Sequence, residues 1–292
     1  MTVLRQIYRE RWGYYFITPT YLLTVLFAVA PVVMGVYFSL YRTVRGQSRY
    51  VGFDNYLRLF REEAFQRAIE NTLYFVLLIV PLALAISLFL AVLVSPLGTK
   101  AQTFFRIAFY LPVVASPVVL SLVWLWIYNP VYGLLNYLLK LVGLPPRTWL
   151  SDLGTALPGL AVIVITWSIG QPLILFLAAI GAVPRDYYEA AIIDGGNAWQ
   201  RFWHITLPLI QPTTLFVLIT NTIGVFQIWV VIHLMTQGGP FYATQSLVYL
   251  LYQKAFVAGR FGEASALGVL LFVIIMAIAY IQFRFFSRSV EY

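Results

Sequence analysis

The sequence predicts an all-α integral membrane fold of about six transmembrane helices, and three observations predict it. First, only 10% of the 292 residues are charged while 61% are hydrophobic, and the mean hydropathy is +0.83. A soluble domain carries about 25% charged residues because its surface meets water, so most of this surface must face lipid. Second, the few charges are spaced so that each gap between them holds at least the roughly 20 apolar residues needed to cross a bilayer. Third, no Asp, Glu, Lys or Arg falls inside any of the resulting spans except at their ends, where Arg106 and Arg284 stand.

The gaps run from Arg11 to Arg42, Glu70 to Lys100, Arg106 to Lys140, Asp152 to Arg185, Arg201 to Lys254 and Glu263 to Arg284. They place spans at about 14–40, 72–94, 105–128, 158–181, 209–234 and 264–284, in a single transmembrane domain over 1–292. Arg5, Arg9 and Arg11 precede the first span as they would a signal peptide. Its apolar stretch from Tyr14 to Leu40 is too long for a signal core and lacks a small-residue cleavage site, so it reads as a retained helix. The fifth gap is long enough for two crossings. Its second half opens on Thr236-Gln237-Gly238-Gly239-Pro240, a strong break, and continues as a short mixed segment. One crossing is expected there, followed by a loop that dips towards the interface.

The same composition excludes several functions. The net charge of +8 comes without a basic run or groove pattern, so it is the ordinary basic excess of a membrane protein rather than a nucleic-acid footprint. With no cysteine, disulfides, thiolate metal sites and cysteine nucleophiles are absent. A P-loop needs Lys followed by Ser or Thr, whereas the lysines here precede Ala101, Leu141 and Ala255. ATP chemistry must come from another chain. Charge-free spans speak against proton relays, and His204 and His233 read as structural. Sodium coupling through carbonyls and hydroxyls keeps an ion-coupled secondary transporter or channel as the alternative. A membrane-bound enzyme would show a polar acid–base or metal cluster at the helix ends, and no such motif occurs. Lys and Arg are spread too evenly between the two sides to fix orientation.

The segment between the fourth and fifth spans, 184–208, carries the most information. Pro184 suits a first helical turn, Asp186 and Glu189 lie near its positive end, and Gly195-Gly196-Asn197 stops it. A second short helix, Ala198 to Thr206, carries Trp199, Phe202 and Trp203, and Pro208 stands where the next membrane helix begins. The result is a compact helix–turn–helix, with small Ala190 and Ala191 permitting close approach. Taken alone, it is also compatible with a hairpin lying on lipid. The spacing is particular: Glu189-Ala190-Ala191, three residues, Gly195, nine residues, then Ile205-x-Leu207-Pro208. That pattern matches at every fixed position the signature of the permeases of binding-protein-dependent ABC importers, and the chain resembles that family over nearly its whole length.

The resemblance narrows with Val51-Gly52-Phe53-Asp54-Asn55-Tyr56, Phe65, Ala68 and Asn71-Thr72-Leu73. It continues through Trp167, Gly170 and Leu177, and then Thr236 to Pro240 with Ala243-Thr244. These features are similar to the maltose and glycerol-phosphate branch, and to the larger-loop member of its permease pair. The resemblance implies a type I importer fold and a heterodimer with a second permease. It also implies two ATPase subunits that hold ATP and Mg, an extracytoplasmic solute-binding protein, and no cofactor on this chain. It implies a multi-pass protein of a prokaryotic inner membrane with both termini cytoplasmic. The coupling helix that docks into the ATPase then comprises Tyr188, Glu189, Ala190, Ala191, Asp194 and Gly195, with Ile205, Leu207 and Pro208 completing the motif.

Sugar sites combine aromatic faces with amides and hydroxyls. Asn221, Gln227 and Trp229 on the fifth span and Trp167 and Gln171 on the fourth are therefore the candidates to line a solute path. Helical spacing places Asn221 and Gln227 on one face, with Trp229 off it. The alternative is that the amides bond across helices and the tryptophans pack. One departure stands out. Where many permeases of this branch have Phe-Asp-x-Ile-Tyr, this chain has Trp229-Val230-Val231-Ile232-His233, which leaves the solute open. The absence of a cation within the spans tilts the reading from a phosphate ester towards a neutral sugar, the alternative being that the partner permease supplies the charge.

Overall fold

Four helices in the computed structural model are long and apolar enough to cross a membrane: Trp12–Ser39, Glu63–Val94, Gln211–Met235 and Phe261–Phe286. The description covers residues 11–44 and 47–286; Arg5, Arg9 and both chain termini lie outside it. In chain order, helix α1 runs through Arg11–Thr24, a π-turn at Val25–Val29 and Ala30–Ser39. Strands β1 (Tyr41–Val44) and β2 (Gln47–Tyr50) pair antiparallel with Tyr41 opposite Tyr50. Then come α2 (Asp54–Arg61) and α3 (Glu63–Val94).

The expected third and fourth spans are both broken. The third is two helices, α4 (Thr99–Val114) and α5 (Pro117–Ile127), bent by 96°. Pro117 lacks an N–H and forces its predecessor out of the helical region, and Ala115 and Ser116 are accordingly extended, with ψ of 136° and 139°. A short helix α6 (Leu134–Leu141) follows. The fourth is α7 (Ala156–Ser168) and α8 (Gly170–Ala182), bent by 41°. Here the ring of Pro172 crowds the carbonyl four residues back, at Ser168. Counting each bent pair as one span gives six.

After α8 comes α9 (Arg185–Ile193) and then α10, which runs from Ala198–Arg201 through a π-turn at Phe202–Thr206 to Leu207–Leu209. The fifth crossing comprises α11 (Gln211–Phe226) and α12 (Val230–Met235). Its helix starts at Gln211 rather than at Pro208, because Ile210 leaves the regular helix between them (φ −90°, ψ 5°). It also stops at Phe226, so Gln227 is a C-cap and the shared helical face expected for Asn221 and Gln227 does not exist. A looped segment leads to α13 (Leu247–Tyr252 with a π-turn at Gln253–Val257), too short to span, and α14 (Phe261–Phe286) closes the described chain.

The chain divides into two compact units, one up to Arg61 together with Leu251–Leu271, the other Glu62–Leu250 with the chain from Phe272 on. In the first, buried Asn55 donates to the carbonyls of Ser39 (2.7 Å) and Tyr41 (2.9 Å), tying α2 to the end of α1 and the start of β1. Asp54 accepts from Arg42 at 2.6 Å and Arg58 at 3.1 Å. Gly262 passes so close to the Tyr41 carbonyl that any Cβ would collide with it. Lys254 and Glu263, both largely buried, pair at 3.0 Å.

In the second unit, α3 buries a stripe through Ala68, Phe75, Ile79, Ala83 and Ala91 at helical spacing. Leu88, Leu173, Phe176, Ile210 and Val217 form a core cluster against which Phe202 and Leu207 of α10 pack. Gly170 allows α8 to cross α4 closely, since a Cβ would strike the Phe109 carbonyl and Val113.

Candidate functional site

The hairpin of α9 and α10 is built from local chemistry. Pro184 caps α9 from just outside it, and Asp186 sits in the first turn. At the far end Gly195 takes a left-handed conformation (φ +79°). Its N–H reaches the Ile192 carbonyl at 3.0 Å, and the N–H of Gly196 reaches Ala191 at 2.8 Å. This is a Schellman closure, in which a glycine in the left-handed region satisfies the last carbonyls of a helix. A side chain on Gly196 would meet the Ala191 carbonyl at 2.8 Å, so the pair of glycines is needed, although only Gly195 belongs to the sequence signature. Asn197 and Gln200 then form a capping box that starts α10.

The two arms are tied together and to the core. The Tyr188 hydroxyl bonds the Thr206 hydroxyl at 3.0 Å, and Phe202 and Leu207 pack on the core cluster. Between the arms lies an open cleft lined by Ala191, Asp194, Gly195, Arg201 and Ile205. Glu189, Ala190, Asp194 and Pro208 are exposed. Ile193 at the tip is 85% exposed, and Glu189 makes no ion pair with any described residue. The hairpin is thus a braced projection with an unpaired carboxylate and an apolar tip.

A second feature lies in the same unit. A cavity of about 150 Å³ is lined by Trp167, Ser168 and Gln171 on one side and by Thr220, Asn221 and Gly224 on the other. Apolar side chains, Val113 and Ile228 among them, line the rest of the wall. Each contributing span is interrupted beside it: α4 ends at Val114, α7 gives way to α8 at Ile169, and α11 ends at Phe226. Irregular backbone at membrane depth is tolerated where it lines a cavity, and solute sites of secondary transporters are typically built from such discontinuous helices. No charged side chain lines the cavity. Three of the five residues expected on a solute path, Trp167, Gln171 and Asn221, meet there. Gln227 is exposed elsewhere, and Trp229 stacks on His233 at 4.9 Å and 10°. Ser168 and Thr220 were not singled out from the sequence; Pro172, which breaks the helix at Ser168, was the available signal. Among the described residues no three His, Asp or Glu side chains converge as a metal site.

Comparison with known proteins adds four findings. A family model described as "Binding-protein-dependent transport system inner membrane component" matches residues 65–292. The chain is 34% identical over 283 residues to the sn-glycerol-3-phosphate transport system permease protein UgpA of Brucella abortus, covering 96% of each. It is 35% identical over 285 residues to the probable ABC transporter permease protein YurN of Bacillus subtilis, covering 95% of this chain and 97% of the relative. Its fold is similar to a chain in the crystal structure of a bacterial ABC transporter involved in the import of the acidic polysaccharide alginate, with a TM-score of 0.86 at 24% identity over 99% of both chains.

Proposed function

Because the chain belongs to the family of binding-protein-dependent transport system inner membrane components, the permease subunits of ABC importers, we propose that it passes a carbohydrate through the cavity at its three broken helices and is driven through the α9–α10 hairpin. Its partners on this reading are a second, non-identical permease, a pair of ATPase subunits holding ATP and Mg, and an extracytoplasmic binding protein that delivers the solute. The hairpin lies on the cytoplasmic side, as do both termini.

The observation that carries the reading is the hairpin itself. A lever must transmit displacement without bending. The glycine closure at Gly195, the capping box at Asn197 and the Tyr188–Thr206 bond make this segment rigid, while its tip, Ile193, is left uncovered. ATP binding closes the ATPase pair, the hairpin moves as a body, and the packed helices switch from inward-facing to outward-facing. The nucleotide supplies the difference in stability between the two states.

Gly195→Val tests the lever in the reconstituted complex. A β-branched residue at φ +79° is strained by about 1–2 kcal/mol, so the turn distorts. Uptake should fall at least about tenfold while ATP hydrolysis continues uncoupled; near-normal uptake by an assembled complex removes the assignment. Orientation has its own test. The chain has no cysteine, so Ile193→Cys adds its single thiol. That thiol should resist an impermeant maleimide in intact cells and react once the membrane is opened. ATP-independent uptake by this chain alone would favour the ion-coupled alternative.

A further inference from the structure

We infer that the α10 arm of the hairpin lies in the headgroup layer of the bilayer, held there by Trp199 and Trp203, while the α9 arm stands clear of lipid. The placement needs only the membrane spans; that it gives the coupling lever a pivot rests on the reading proposed above.

Depth comes first. Phe202 and Leu207 pack against a core cluster that reaches Val94, the last residue of α3, and Val183, just past the end of α8. The arm therefore lies where these spans leave the bilayer. Trp203 precedes Gln211, the first residue of α11, by eight residues, which is at most about 12 Å of helix. The start of α4 lies at the same level and carries the same chemistry. Phe105 packs on the same cluster, and near it Phe104 is 66% exposed and Lys100 is exposed.

The two arms then differ in chemistry. Trp199 and Trp203, one helical turn apart, share a face; their ring centroids are 5.6 Å apart, and they are 70% and 47% exposed. Neither indole N–H bonds any described residue. An indole with a bare apolar body and an unspent donor suits the headgroup level, where the ring meets acyl chains and the N–H meets phosphate or carbonyl oxygen. From Ala198 to Leu209 there is no Asp or Glu, and Arg201 is the arm's Lys or Arg, so nothing on α10 repels an anionic headgroup. The α9 arm is the reverse. Asp186, Glu189 and Asp194 stand there against Arg185, and none of the three acids forms an ion pair with a described residue. An anionic lipid surface repels that arm, whereas a basic protein surface attracts it. The Tyr188–Thr206 bond and the Gly195 turn fix the arms to each other, so an α10 seated among headgroups gives α9 a fixed point to work from.

The test uses the complete complex, its other subunits cleared of cysteine, in vesicles of phosphatidylethanolamine and phosphatidylglycerol. Because the chain has no cysteine of its own, Trp203→Cys and Ile193→Cys each place one thiol for a bimane label, which a nitroxide on the lipid headgroup quenches at short range. The label at 203 should be quenched at least about threefold more strongly than the label at 193, as expected of a helix seated at the interface. Equal quenching at the two positions overturns the inference. So does quenching at 203 that appears only once the ATPase subunits are stripped away, since the face then belongs to the ATPase. Trp199→Cys gives the same reading with Trp203 intact if the first variant fails to assemble. Trp199→Glu supplies a functional arm. Its uptake should fall at least about threefold relative to the wild type as phosphatidylglycerol replaces phosphatidylethanolamine, because anionic headgroups repel the new acid. A lipid dependence equal to that of the wild type overturns the inference. The lever fails separately: near-normal uptake in Gly195→Val removes it and leaves the quenching result standing.

Discussion

Asn71 donates to the carbonyls of Tyr242 at 2.8 Å and Gln245 at 3.0 Å, and through them holds a loop that is costly to form. Gln237, Phe241 and Tyr242 in that loop all have positive φ, at 52°, 45° and 62°, where non-glycine residues are strained by about 1–3 kcal/mol each. Neighbouring Thr72 adds a bond from the Leu247 N–H at 3.0 Å, so the Asn71-Thr72 pair acts as a buttress. Asn71→Leu should therefore release the loop, since each carbonyl left without a partner costs about 1–3 kcal/mol. Faster amide exchange over 236–246 and a lower Tm are expected; unchanged exchange would show that the loop holds itself. Asp54 gives a pH dependence of known sign. Hydrogen bonds from Arg42, then Arg58, hold its carboxyl below the usual range. Its contribution to stability is thus complete above the ordinary carboxylate pKa and is lost as pH falls through the lowered one. Thermal unfolding followed from about pH 6 to about pH 3 should show a smaller acid-induced loss in Asp54→Asn than in the wild type.

The link between α13 and α14 turns on the Lys254–Glu263 pair, whose side chains are only 5% and 12% exposed. Removing one member of a buried pair strands the other charge, at a cost of about 3–5 kcal/mol, whereas replacing both by apolar residues is often neutral. Lys254→Met should therefore lower Tm more than Lys254→Met/Glu263→Met. Arg260, 3.7 Å from Glu263, softens the first effect. Equal losses in the single and double variants would show that packing, not charge, matters there. Such elements differ in how far the sequence discloses them. The α9–α10 hairpin was legible because its stop is local: Gly195-Gly196-Asn197 are adjacent in the chain, although Asn197 proves to open α10, through a capping box with Gln200, rather than to close α9. The broken spans were not. Hydropathy averages over a window and reads the same whether Pro117 bends the chain by 96° or not. The stop at Phe226 carries no proline at all; there the Ile228 carbonyl accepts from the Ser246 hydroxyl at 3.1 Å, a partner far along the chain that no local pattern announces. Reading Asn221 and Gln227 as one face assumed an unbroken helix, and the solute-path candidates were only partly brought together for that reason.

Across the molecule, the six-span count hides a division of labour between helices that are continuous and helices that are cut. α3 runs uninterrupted through 32 residues and supplies the packing surface, with Leu88 and Ala91 in the core cluster. The crossings at α4–α5, α7–α8 and α11–α12 give up backbone hydrogen bonds where they meet the cavity. In lipid that sacrifice is tolerated only where protein or a water-filled space receives the freed groups. At the α7–α8 break the Ser87 hydroxyl, reaching from α3, lies 3.2 Å from the Ile169 carbonyl, so the continuous helix braces the cut one. If the breaks exist to open the cavity, mending one should close it. Pro172→Ala restores the N–H that the Ser168 carbonyl lacks and removes the ring that crowds it, favouring a straight helix through Ile169. The variant should fold at least as stably as the wild type, because a helical hydrogen bond is regained. Solute uptake by the complex should nevertheless fall at least about tenfold as Trp167, Ser168 and Gln171 rotate out of register with Asn221, in line with the sensitivity of positioned sites to small displacements. Tm and uptake measured on the same preparation decide the matter: a stabilised complex that transports poorly supports a functional break, and a stabilised complex that transports normally shows that the bend is incidental to the path.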